Sequence, residues 1–101
     1  MKLLIINAVK AFEAEVKKLL LQAKVHSFSY SEVNGFRDSS QDAIQSNWFA
    51  SELNETESVL FYAFVAKDRV DTVFEMIGAF NAQQEVLSQI HVAVLNIEKS
   101  N

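Results

Sequence analysis

His26 and His91 are the only side chains in this sequence that join metal ligation to proton transfer near neutral pH. Each stands alone, without an HxH or HxxxH partner. Any zinc site would have to be completed across a subunit boundary, and the simpler reading is that both histidines are structural. Cysteine is absent, which removes thiolate ligands, disulfides and cysteine nucleophiles together. The acidic pairs Glu13/Glu15 and Glu55/Glu57 read as solvated surface rather than catalytic dyads. No serine sits at a strand-to-helix nucleophile elbow, and Tyr30 and Tyr62 fall on expected strands as core or interface. Glycine occurs only at Gly35 and Gly78 and proline not at all, so no glycine-rich phosphate cradle exists. These residues point away from an enzyme.

The most pointed surface feature is Trp48-Phe49, set in the polar stretch RDSSQDAIQSNWFASELNETE from Arg37 to Glu57. Two readings stay open for the pair. It is either an exposed anchor for a partner protein, since aromatics dominate interface hot spots, or it folds back onto its own or a neighbouring subunit. Asn54-Glu55-Thr56 matches a glycosylation sequon, which without a secretory signal reads as coincidence.

The chain has 101 residues, of which 50% are hydrophobic and 22% charged, in keeping with a single folded domain. Its net charge of −4 argues against nucleic acid or an anionic membrane as partner. The apolar start reaches Asn7, Lys10 and Glu13 too soon for a signal peptide or membrane span, so a soluble cytoplasmic protein is expected.

The elements that must position these residues follow from periodicity. Leu3–Val9 is a nearly unbroken apolar run, which suits a strand buried on both faces. From Lys10 to Lys24, Phe12, Val16, Leu19, Leu20 and Ala23 recur at helical spacing, without a good cap at the start. Val25–Val33 alternates with period two, which predicts an edge strand beginning near His26. Asn34-Gly35 follows, but Arg37–Gln45 offers no hydrophobic return strand. Gly35 therefore reads as a hinge or bulge from which a long loop, 37–57, departs. A loop of that length is more often functional than accidental.

Ser58–Ala66 is a second strand expected to be buried on both faces. Asp68 and Asp71 mark a helix start, with Val70, Val73, Phe74, Ile77 and Phe80 as its buried stripe. Gly78, at the margin of that stripe, is expected to admit a close strand. Asn81–Gln89 is a connector and His91–Ile97 a last strand. The order predicts an α+β, ferredoxin-like βαββαβ sandwich, a single domain over residues 1–101. Right-handed crossovers then place the first and third strands, the two apolar runs, at the sheet centre. Both central strands are apolar on either parity, so the face without helices would expose a large greasy patch. Copies of the chain are expected to cover it.

Ser31-Glu32-Val33-Asn34-Gly35-Phe36 resembles the end of the second strand in PII signal-transduction proteins, where Thr-Glu-Val-Lys-Gly-Phe leads into the T-loop. The start MKLLIINAVKAFEAEVKKLL is similar to that family's first strand and helix, and VLFYAFVAKDRVDTVFEMI to its third strand and following helix. The resemblance implies a non-enzymatic regulatory homotrimer that binds a small effector, often an adenine nucleotide, between subunits. A T-loop, here 37–57 with Trp48 and Phe49, would dock on a target protein. Carried over by position, Gly35, Phe36 and Arg37 form the loop base and Gln89 stands about where the family has a phosphate-binding lysine.

The departures are specific. Asn81–Gln89 has neither glycine nor a basic residue, and the family's basic C-terminal segment and T-loop tyrosine are missing. A triphosphate needs cationic or N–H donors, which argues for a less charged effector or none, with metal as the other candidate. Short PII-like proteins of this kind are similar to ones encoded beside membrane transporters, heavy-metal efflux systems among them, which makes a transporter the candidate partner. Two alternatives stay open: a CutA-like trimer holding metal through His26 or His91, and a small α/β-barrel enzyme whose pocket could draw only on Asn7 and Tyr62.

Overall fold

The computed structural model describes residues 1–36, 55–84 and 88–101. Strand β1 (Lys2–Val9) runs into a 3-10 turn (Lys10–Phe12) and helix α1 (Glu13–Gln22). Strands β2 (Ser29–Phe36) and β3 (Glu55–Val65), helix α2 (Lys67–Ala82) and strand β4 (His91–Asn96) follow. The sheet order is β2-β3-β1-β4, antiparallel throughout, so the two apolar runs occupy its centre as the crossover argument requires. This is the ferredoxin-like α+β arrangement.

One face of the sheet is covered. Leu4, Ile6 and Ala8 of β1 and Val59, Phe61, Ala63 and Val65 of β3 pack against Val16, Leu19 and Leu20 of α1 and Val73 and Ile77 of α2. Phe12 meets Phe80 edge-on at 5.0 Å, joining the 3-10 turn to the far end of α2. The opposite parity of the same strands carries Leu3, Ile5, Leu60, Tyr62 and Phe64, joined by Leu95 of β4 opposite Leu3, and no element lies over it among the described residues. Tyr62, Phe64 and Leu95 are 47%, 57% and 44% exposed. Among the described residues no helix is long and apolar enough to cross a membrane.

Several local expectations are corrected. The second strand starts at Ser29 rather than Val25. Helix α1 exits through Lys24 at φ 64, with Lys24 N–H donating to Leu21 O and Val25 N–H to Leu20 O. This is a Schellman exit, and Val25 is buried as the apolar residue that follows it. The alternating pattern thus began within a helix terminus, and His26 precedes the edge strand. Gly35 is neither hinge nor bulge: it pairs in register with Thr56, and its φ is not positive.

Strand β3 begins at Glu55, because its polar end is held by pairing to Gly35 and Phe36 rather than by hydrophobicity. The long connection is therefore 37–54. Arg37, Trp48 and Phe49 lie outside the described residues. On α2, Val70, Val73, Ile77 and Phe80 form the inward stripe while Phe74 is 38% exposed. Among the described residues Gly78 has nothing within 4 Å of where a Cβ would stand, and no described strand approaches it.

Candidate functional site

The ends of β1 and β2, the start of β3 and the approach to β4 meet around an open cleft of about 530 Å³. Three of the residues singled out in the sequence, Gly35, Phe36 and Gln89, line it together. His91 stands among them, and so does Asn7, its partner across β1 and β4. His91 thus falls beside the candidate effector residues rather than with other metal ligands. Tyr62 is not among the residues lining the cleft: it lies opposite Ile5, two pairing rows from Asn7 on the same face.

Gly35 has a defined purpose here. A Cβ at this position would stand 3.1 Å from Ser58 Oγ and 3.5 Å from Thr56 O. Glycine lets the Ser58 hydroxyl, which donates to Thr56 O at 3.4 Å, sit against the β2 backbone at the cleft wall. Phe36 is 72% exposed at the point where the chain leaves for residues 37–54.

The other wall is positioned by a residue the sequence reading passed over. Asn81, at the end of α2, donates from Nδ2 to Ile90 O at 2.9 Å and accepts from Ile90 N–H at 2.8 Å. This two-bond clasp fixes Ile90, which is buried, and with it the flanking Gln89 and His91. The available signal was an asparagine at a helix end, a common residue there, and nothing local linked it to a backbone nine residues on.

Electrostatically the cleft is nearly neutral. Among its described walls, serine, threonine, asparagine and glutamine supply the polar groups, His91 is the one ionisable side chain, and there is no lysine or arginine. Glu32 and Glu57 border the adjoining hollow, which shares Ser58. Beyond it, Lys10 pairs with Glu32 and Glu13, and Lys17 bridges Glu13 at 3.2 Å and the Tyr30 hydroxyl at 2.9 Å. Hydrogen bonding to Glu32 raises the Lys10 ammonium above its ordinary range. The bond to Tyr30, then that to Glu13, does the same for Lys17, and the bond from Lys17 lowers Glu13. These pairs fasten the 3-10 turn and α1 to the edge strand β2, and their cations are spent on structure.

His26 lies at the other end of the sheet, in a hollow with Val65, whose partner in β1 is Lys2. His91 is opposite Asn7, five residues further along β1, a separation of roughly 17 Å at strand rise. The two histidines cannot share a metal within one chain. Among the described residues, no group of three His, Cys, Asp or Glu side chains could hold a metal ion.

A four-stranded antiparallel sheet, two helices on one side and a cleft at the root of the β2–β3 connection define a ferredoxin-like α+β domain. No family model matches the sequence, and no curated protein matches it. Among solved structures the chain is similar to CPII, a nitrogen regulatory PII-like protein from Thiomonas intermedia K12, bound to ADP, AMP and bicarbonate. The TM-score is 0.63, with 99% of this chain and 94% of that chain covered, at 15% identity. The likeness bears out the resemblance to PII-like proteins at the level of the fold.

Proposed function

We propose that this chain is a non-enzymatic PII-like regulator, a homotrimer that binds a small effector in the cleft and acts on a target protein through residues 37–54. The observation that carries this reading is the convergence of Gly35, Phe36 and Gln89 with His91 at the root of that connection. A ligand seated there touches the strand end from which the connection departs, so its occupancy can bias the arrangement of the connection. The bare apolar face of the sheet supports assembly. Trp48 and Phe49 are the aromatic anchors offered to the target, and Arg37 joins Gly35 and Phe36 at the base. The resemblance to transporter-associated PII-like proteins makes a membrane transporter the candidate target and the cytoplasm the candidate location.

The cleft's chemistry narrows the effector. The neutral donors and acceptors of its described walls, with a single imidazole, suit a ligand of low charge, and Arg37 would be the one cation beside them, whereas a triphosphate calls for more. CPII is bound to ADP, AMP and bicarbonate, and these are the first ligands to try.

Titration calorimetry of the intact protein with bicarbonate, AMP, ADP and ATP tests the reading, with Trp48 fluorescence followed in parallel. The expected result is saturable binding that is weakest for ATP, changes the Trp48 emission and weakens in Gln89→Ala and His91→Ala. A ligand that binds without altering the emission contradicts the switch, and binding that survives both substitutions unchanged contradicts the cleft.

A further inference from the structure

At the end of the sheet remote from that cleft, Lys24, His26 and Arg69 converge on a hollow of about 260 Å³, with Ser27 beside them and no carboxylate in the lining. Three separate elements bring them there: the exit of α1, the segment before β2 and the first turn of α2. Among the described residues none of the three is in an ion pair, whereas Lys10 and Lys17 are both bound to glutamates. For a chain of net charge −4, Lys24 and Arg69 make a local concentration of positive charge outside any ion pair among the described residues.

The backbone around the hollow points the same way. Lys24 holds φ 64 at the helix exit, a position where glycine is the more stable tenant. The chain keeps a cation there at the expense of stability, a pattern found where a residue has another task. Ala66, a further wall of the hollow, is the N-cap of the 16-residue helix α2 and gives its first amides no side-chain acceptor. The positive end of that helix adds to the same field, offset in part by Asp68 in its first turn.

We infer that this hollow is an anion site, binding a phosphate-sized oxyanion either free or as a phosphate monoester. The Lys24 ammonium and Arg69 guanidinium supply the charge, and the His26 ring and Ser27 hydroxyl supply further hydrogen bonds. The site is distinct from the effector cleft and does not rest on the reading of it.

The test is a titration of the intact protein with inorganic phosphate against sodium chloride of matched ionic strength, followed through the amide resonances of residues 24–27 and 66–69. Saturable shifts at millimolar phosphate are expected, and Arg69→Gln weakens binding about ten-fold. Lys24→Gly is the sharper variant. Glycine relieves the left-handed backbone, so the melting temperature rises while phosphate affinity falls. A lysine with only a structural place would give the first change without the second. AMP, read at the same amides, assigns a monoester if it binds more tightly than phosphate and the free anion if it does not. His91→Ala leaves these shifts unaltered, which separates the site from the cleft. No saturable shift, shifts that chloride reproduces, or binding undiminished in both Lys24→Gly and Arg69→Gln would overturn the inference.

Discussion

The two faces of the central sheet are made from alternate residues of the same two strands, yet they have different fates. Phe61 and Tyr62 are neighbours in β3; the first is fully buried beneath the helices and the second is 47% exposed. Elsewhere on the bare face Ile5, Leu60 and Phe64 stand where a monomer would keep polar residues. Composition therefore does not distinguish the faces. What distinguishes them is that the chain supplies helices for one and, among the described residues, nothing for the other.

The largest expected effect breaks the covered face. Phe61→Ala removes a ring in contact with Phe28 and Tyr30, at 5.8 and 5.3 Å, and should cost about 3–5 kcal/mol in urea unfolding. Phe64→Glu, three residues along on the other parity, sharpens the contrast. It should lower the oligomer mass in light scattering while the dissociated subunit keeps its far-UV spectrum. A Phe64→Glu chain that stays assembled would show that another surface joins the copies.

A smaller effect is expected at the cleft wall. Asn81→Ala deletes both bonds of the clasp on Ile90 and should cost about 1–3 kcal/mol. Faster hydrogen exchange at Gln89 and His91 is the specific sign, because the helix itself is untouched.

The smallest effect concerns the fastening of α1 to β2. Glu13 is held below its ordinary range by Lys17, so its contribution exists above the unfolded glutamate pKa and is lost as pH falls through the lower folded value. The melting-temperature gap between the native chain and Glu13→Gln should be constant near neutrality and close on acidification below the ordinary glutamate range. A gap that persists in strong acid would remove the charge from the explanation.

The same comparison explains how much was legible in the sequence. Leu3–Val9 and Ser58–Ala66 announced themselves as central strands because burial on two sides leaves an unbroken apolar run. That signal also foretold the uncovered face. The start of β2 was misplaced because Val25 is apolar for the sake of a helix exit, and a period of two cannot tell that from a strand. Gly35 was recognisable as special but for the wrong reason, since its constraint comes from Ser58, which only strand pairing brings near. The clasp of Asn81 on Ile90 and the placing of His91 beside Gln89 are likewise non-local. Sequence spacing carries information along an element, whereas the cleft is built between elements.

The uncovered face is tested most directly by native mass spectrometry of the intact protein at micromolar concentration. The account predicts a species of three chains of 11.4 kDa each, converted to single chains by Phe64→Glu. A native chain that flies as a single 11.4 kDa subunit under those conditions would contradict it.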